Sequence, residues 1–136
     1  REPTDQEVRL DFPGGFAGDA VNKFEAAGRT PQENETFNYI NTLANFRKNS
    51  PALKTGKTMQ FIPQNGVYVY FRYDAKQTIM CVMNTGDQAA TIDLSRFAER
   101  MKGYTKAYDA ATGVTFDLEP KLTLGEKYLL VMELKK

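Results

Sequence analysis

The chain has 136 residues, 41% of them hydrophobic, and eighteen basic against seventeen acidic side chains give a formal charge of +1. That is enough for one packed domain with an appendage and too little for a complete (β/α)8 barrel, which takes about 250 residues. The near-balanced charge, with no basic stripe or acidic tail, argues against nucleic acid as a partner. No apolar run approaches the roughly 18 residues of a spanning helix, and the opening REPTDQE is polar, so neither a membrane anchor nor a signal peptide is expected.

Residues 1–30 are rich in Gly, Pro, Asp and Glu without a sustained period, and they read as a long loop that needs a partner surface to order it. Thr30-Pro31-Gln32-Glu33 then marks a helix start: Thr30 can cap the N–H of Glu33, Pro31 suits the first helical position, and Glu33 can reach back to close a capping box. Phe37, Ile40, Leu43 and Ala44, flanked by Tyr39 and Phe46, form the apolar stripe of that helix, and Asn49-Ser50-Pro51 stops it. From Gly56 the period changes to two. Strands are expected at 59–62, 67–73, 79–83, 90–94, 104–108, 114–118, 121–124 and 128–134, with one helical turn near 95–101. Asn65-Gly66 signals a tight hairpin, and residues 79–83 are apolar on both faces, as a central strand would be. Eight short strands at this spacing predict a mainly β fold, an antiparallel β-sandwich preceded by a long loop and one α-helix. Its expected core is Phe61, Val69, Phe71, Ile79, Cys81, Leu94, Phe116, Leu130 and Met132.

Few residues suggest chemistry. The absence of histidine excludes Ser-His-Asp and Cys-His catalysis and the common histidine-containing zinc sites within this chain. Cys81 has no second cysteine to pair with, and its place in the run TIMCVM makes it a small core hydrophobe. Pro13-Gly14-Gly15 reads as a tight turn rather than a phosphate cradle, since no glycine-rich nucleotide motif accompanies it. Glu25, Glu33 and Glu35 suit the start of the helix and a solvated face better than a metal, so neither metal nor cofactor is expected. Tyr68 and Tyr70 share one strand face; they are read first as half-buried sandwich residues and second as a stacking platform for a sugar ring.

Residues 8–24, VRLDFPGGFAGDAVNKF, resemble the loop after the eighth barrel strand in the α-amylase family of glycoside hydrolases, nearest its neopullulanase and cyclomaltodextrinase branch; Phe46-Arg47-Lys48 and the strands that follow match the same order. The resemblance implies that residues 1–52 are the end of a catalytic barrel, its last loop and helix, and that residues 53–136 are a C-terminal Greek-key sandwich. It also implies a parent enzyme that hydrolyses starch, pullulan, maltooligosaccharides or cyclodextrins with retention. None of the family's catalytic carboxylates falls on a position here, so no catalytic residue is assigned. Arg9-Leu10-Asp11 differs from the family's nucleophile segment, with Glu7 and Gly15 where that segment carries glycine and histidine. The plainer reading is that Arg9 and Asp11 form an ion pair in the loop. Because loops at the C-terminal face of a barrel build its active site, the resemblance implies that Phe12, Phe16 and Asp19 lie at the rim of the substrate cleft. The implied partner is an α-glucan held through the barrel, with self-association through the helix stripe where the barrel is lacking and a periplasmic or secreted location in a bacterium. Two rival readings are a stand-alone carbohydrate-binding sandwich and a structural module.

Overall fold

The computed structural model describes residues 2–136. Two compact units divide after Ile40.

The first unit is mostly irregular backbone held by side chains. A short helix, α1 (Asp5–Val8), starts where the Glu7 carboxylate accepts from the Thr4 N–H at 2.6 Å. It also changes the expected partner of Arg9. The guanidinium lies 3.3 Å from Asp5, four residues back on the same helix face, and not against Asp11. A 3₁₀ turn at Ala26–Gly28 leads to α2 (Pro31–Asn49). Its capping box forms as read from the sequence: Glu33 N–H donates to Thr30 Oγ1 at 3.2 Å and the Glu33 carboxylate accepts from Thr30 N–H at 2.7 Å.

The second unit begins within α2 and contains a further helix, α3 (Pro51–Thr55), which period reading missed because it is a single turn. Eight strands follow: β1 (Lys57–Gln64), β2 (Val67–Tyr73), β3 (Thr78–Asn84), β4 (Ala90–Asp93), β5 (Lys106–Asp109), β6 (Thr115–Asp117), β7 (Lys121–Leu124) and β8 (Tyr128–Lys135). A 3₁₀ turn at Leu94–Phe97 and α4 (Ala98–Met101) fill the helical turn expected between β4 and β5. The sheets are antiparallel, one ordered β1-β2-β3-β8-β5-β6 and the other β4-β7, so the chain crosses between sheets in the Greek-key manner. Asn65 and Gly66 both take positive φ, 50° and 76°, which is the mirror-image turn that a two-residue hairpin requires.

Between the sheets lies the main core. Phe71 and Phe97, both fully buried, meet Phe61 edge-on, and Val69, Met80, Val82, Leu94, Leu124, Leu130 and Met132 close around them. Two members of the expected core lie elsewhere. Ile79 and Cys81 are buried on the opposite face of β3, with Ala52 and Leu53 of α3, because alternation along a strand sends 79 and 81 outward when 80 and 82 point inward. Phe61 and Phe116 pack against the main core half-buried. The buried Asn84 amide ties the end of β3 to two loops, donating to the carbonyls of Gln88 and Gly125 at 2.8 Å each and accepting from Gly86 N–H at 3.0 Å. It leaves no polar group orphaned there.

Candidate functional site

The residues that the sequence singled out sit in the first unit, around the Pro13-Gly14-Gly15 turn. Asp19 closes this turn: its Oδ2 accepts from the N–H of Gly14 at 2.9 Å and of Phe16 at 3.0 Å. The returning chain runs alongside, with Gly14 bridged to Asn22 in antiparallel fashion and Lys23 N–H donating to the Pro13 carbonyl at 2.8 Å. Asn22 is the pivot, a part that the sequence reading did not assign to it. Its Oδ1 accepts from Phe24 N–H at 3.0 Å, and its side chain lies 3.1 Å from where a Cβ on Gly15 would stand. Its carbonyl oxygen lies only 1.9 Å from where a Cβ on Gly28 would stand. Gly15 is therefore required twice, by its φ of +80° and by Asn22, and Gly28 by the close approach of backbone to backbone. Two glycines thirteen residues apart with an asparagine between them were the signal available.

Three aromatic rings gather at this turn. Phe12 meets Phe24 at a tilt of 52° with ring centroids 4.9 Å apart, while Gly14 lies so close to the edges of Phe16 and Phe24 that a Cβ there would meet them at 2.8 and 3.0 Å. Phe12 and Phe16 remain 57% and 74% exposed. Arg29, also absent from the sequence reading, fastens the loop to the helix. Its guanidinium donates to the carbonyls of Lys23 and Phe24 and to Asn34 Oδ1 at 2.8–3.1 Å, and it covers the Phe37 ring at 3.9 Å. Between loop and helix runs a groove of about 760 Å³ walled by Phe12, Phe24, Phe37 and Ile40, with the Lys23–Glu33 ion pair (2.6 Å) at its polar end.

Four carboxylates of this unit help to hold it together. Asp5 pairs with Arg9, Asp19 holds the turn, Glu25 accepts from the Asn22 amide at 3.2 Å, and Glu33 serves both the helix cap and Lys23. The hydrogen bond from Lys23 and then that from the Thr30 backbone keep the Glu33 carboxyl below its ordinary range. In the second unit, hydrogen bonds from Ser95 do the same for Asp93. Both shifts run opposite to the one a general acid needs at neutral pH. Among the described residues no cluster of three His, Cys, Asp or Glu could hold a metal ion, and no helix is long and apolar enough to cross a membrane.

The apolar side chains of the unit stand in contrast. Among the described residues twelve large hydrophobic side chains are exposed, and nine of them fall in residues 8–40: Val8, Leu10, Phe12, Phe16, Val21, Phe24, Phe37, Tyr39 and Ile40. So dense an exposed set is more than the single scattered hydrophobes of an ordinary surface.

The family model of the cyclo-malto-dextrinase C-terminal domain matches residues 58–133. Among solved structures, the α-amylase from Geobacillus thermoleovorans complexed with acarbose is similar with a TM-score of 0.65 at 16% identity, over 79% of this chain and 24% of that one. AmyP in complex with maltose gives 0.66 at 16% identity, over 76% and 21%. The trehalulose synthase MutB from Pseudomonas mesoacidophila gives 0.55 at 22% identity, over 69% and 17%. At these identities the likeness is one of fold, and the chain spans less than a quarter of the length of each of these structures.

Proposed function

Because the chain belongs to the cyclo-malto-dextrinase C-terminal domain family, a C-terminal domain of α-amylase-family glycoside hydrolases, we propose that it forms the C-terminal end of a retaining α-glucan hydrolase of the neopullulanase or cyclomaltodextrinase type. On this reading residues 1–52 complete a catalytic barrel and residues 53–136 are the sandwich that covers it. The chain itself is assigned no catalytic pair: none of the family's catalytic carboxylates falls on a position here, and Asp5, Asp19 and Glu33 are committed to an ion pair, a turn and a cap. Its work is to stabilise the barrel and to finish the rim of the cleft. The observation that carries the reading is the concentration of exposed apolar side chains in residues 8–40. Burying one such side chain is worth about 1.5–3 kcal/mol, and a barrel wall is a surface that would cover several at once.

At the rim the three loop residues take different parts. Asp19 holds the backbone of Gly14 and Phe16, and Phe12 is backed by Phe24, so Phe16, the most exposed of the three rings, is the one presented to a sugar ring of the substrate. The glucan class, maltooligosaccharides, cyclodextrins, pullulan or starch cleaved at α-1,4 linkages with α-1,6 linkages as a further target, is proposed from the family alone and from no contact seen here.

The test is to read the coding sequence upstream of Arg1 and to express the longer polypeptide. A barrel carrying an aspartate nucleophile and a glutamate acid, releasing reducing ends from maltoheptaose or cyclodextrin, is the expected result. A stop codon or an unrelated domain in that position would remove the proposal.

A further inference from the structure

The two sheets of the sandwich are unequal. Six strands face two, so β4 pairs only with β7, and a groove of about 410 Å³ opens between the free edge of β4 and the β1–β2 hairpin. Its floor is apolar, made by Val67, Val69 and Phe97, and its rim carries Gln64, Asp93 and Arg96. Each rim group keeps hydrogen-bonding capacity. The Arg96 guanidinium gives one N–H to the Ile62 carbonyl at 2.6 Å and lies 5.4 Å from the centroid of Phe97, so it is held in place while pairing with no carboxylate among the described residues. Asp93 accepts from the Ser95 N–H through Oδ1 at 2.9 Å, and the Gln64 side chain makes no hydrogen bond among the described residues.

We propose that this groove binds a short stretch of neutral glycan, an α-glucan, with no part taken by the loop residues Phe12, Phe16 and Asp19. The identity of the sugar rests on the reading of the chain as part of a glucan hydrolase; the site rests on the groove. A negative acceptor, a positive donor and an amide that does both converge here, and the adjacent hydroxyls of a sugar, each donor and acceptor at once, can serve all three. The apolar floor takes the C–H face of the ring. Other occupants fit less well. A free anion would meet the negative Asp93, and among the described residues no group of three His, Cys, Asp or Glu could hold a metal ion. A peptide strand would find only the four residues of β4 to pair with, while β1 carries Pro63 and breaks its register between Phe61 and Gln64. The tyrosines of β2 offer no second platform on the other face of the sheet, because Tyr70 packs there against Ala52, Leu53, Ile79 and Cys81, with its ring tilted by 31° to that of Tyr68. The groove lies near the lower end of the usual size of ligand pockets, which suits a short segment of chain and not a folded partner.

The test titrates maltotriose into the 136-residue chain and follows the backbone amide resonances. Saturable shifts at residues 64–67, 90–93 and 96–97 are expected at millimolar sugar, with the dissociation constant raised about tenfold by Arg96→Ala and about threefold by Gln64→Ala. Gln64 is exposed and its side chain is bonded to nothing among the described residues, so its variant reads binding even where loss of Arg96 loosens the hairpin. The absence of shifts at these residues, shifts confined to residues 12–19, or an affinity unchanged in both variants would overturn the proposal. Hydrolysis of maltoheptaose by the longer polypeptide alongside any of those results would leave the enzyme reading standing. The expected shifts, together with an unrelated domain upstream of Arg1, would keep the sugar site and remove that reading.

Discussion

Replacing Phe71 by alanine removes the ring at the centre of the sandwich. It is fully buried, its centroid lies 5.8 Å from that of Phe61 and 6.3 Å from that of Phe97, and those two rings meet each other at 4.9 Å and 88°. Deletion therefore leaves a cavity between rings anchored on β1 and on the 3₁₀ turn at Leu94–Phe97, which cannot collapse freely. A buried Phe→Ala change of this kind costs about 3–5 kcal/mol. With a urea slope of roughly 2 kcal/mol/M for a domain of this size, the midpoint should fall by about 2 M with the slope unchanged. Equilibrium unfolding followed by circular dichroism, or by tyrosine fluorescence since the chain has no tryptophan, measures it. A loss below about 1 kcal/mol would mean that the inner and outer faces of β2 have been interchanged, because register errors move a whole set of side chains to the other face.

Asn84→Ala should cost about 2–4 kcal/mol in the same unfolding assay, since it leaves the carbonyls of Gln88 and Gly125 without their donor. Gly28→Ala should disorder residues 8–40 while leaving the sandwich folded, seen as loss of dispersed amide resonances from that unit alone, because the new Cβ would meet the Asn22 backbone. Glu33 has its pKa lowered on folding, so its contribution is present above the ordinary glutamate range and is lost as pH falls through the depressed folded value. The helix start should fray on acidification, and Glu33→Gln should remove that pH dependence in amide exchange of residues 30–36. The isolated chain should release no reducing sugar from maltoheptaose, pullulan or cyclodextrin; release abolished by Asp11→Ala would contradict the absence of a catalytic pair.

The strands were legible because alternation is written residue by residue, as in Val67, Val69 and Phe71 against Tyr68 and Tyr70, and because Asn65-Gly66 fits a turn that few other pairs can make. The start of α2 was legible for the same local reason: Thr30 and Glu33 need only each other. Assignments that depend on distant chain were not. Ile79 and Cys81 look like any core residues in sequence, and which sheet face they serve is decided by α3, a single turn without a period of its own. In the loop, Phe12, Phe16 and Asp19 stood out by type, yet the part played by Asp19 as the acceptor that closes the turn, and the pivotal place of Asn22 between two glycines, appear only once the chain has folded back on itself.

The central claim is that residues 8–40 are shaped to lie against a barrel. Amide hydrogen exchange compared between the 136-residue chain and the longer polypeptide tests it most directly. In the chain alone, residues 1–50 should exchange faster than residues 57–134, or a concentration-dependent dimer should protect the helix, since the apolar stripe stands exposed. In the longer polypeptide residues 8–40 should gain protection comparable to that of the sandwich. Uniformly slow exchange in a strictly monomeric chain, with no further protection when the upstream polypeptide is present, would contradict it.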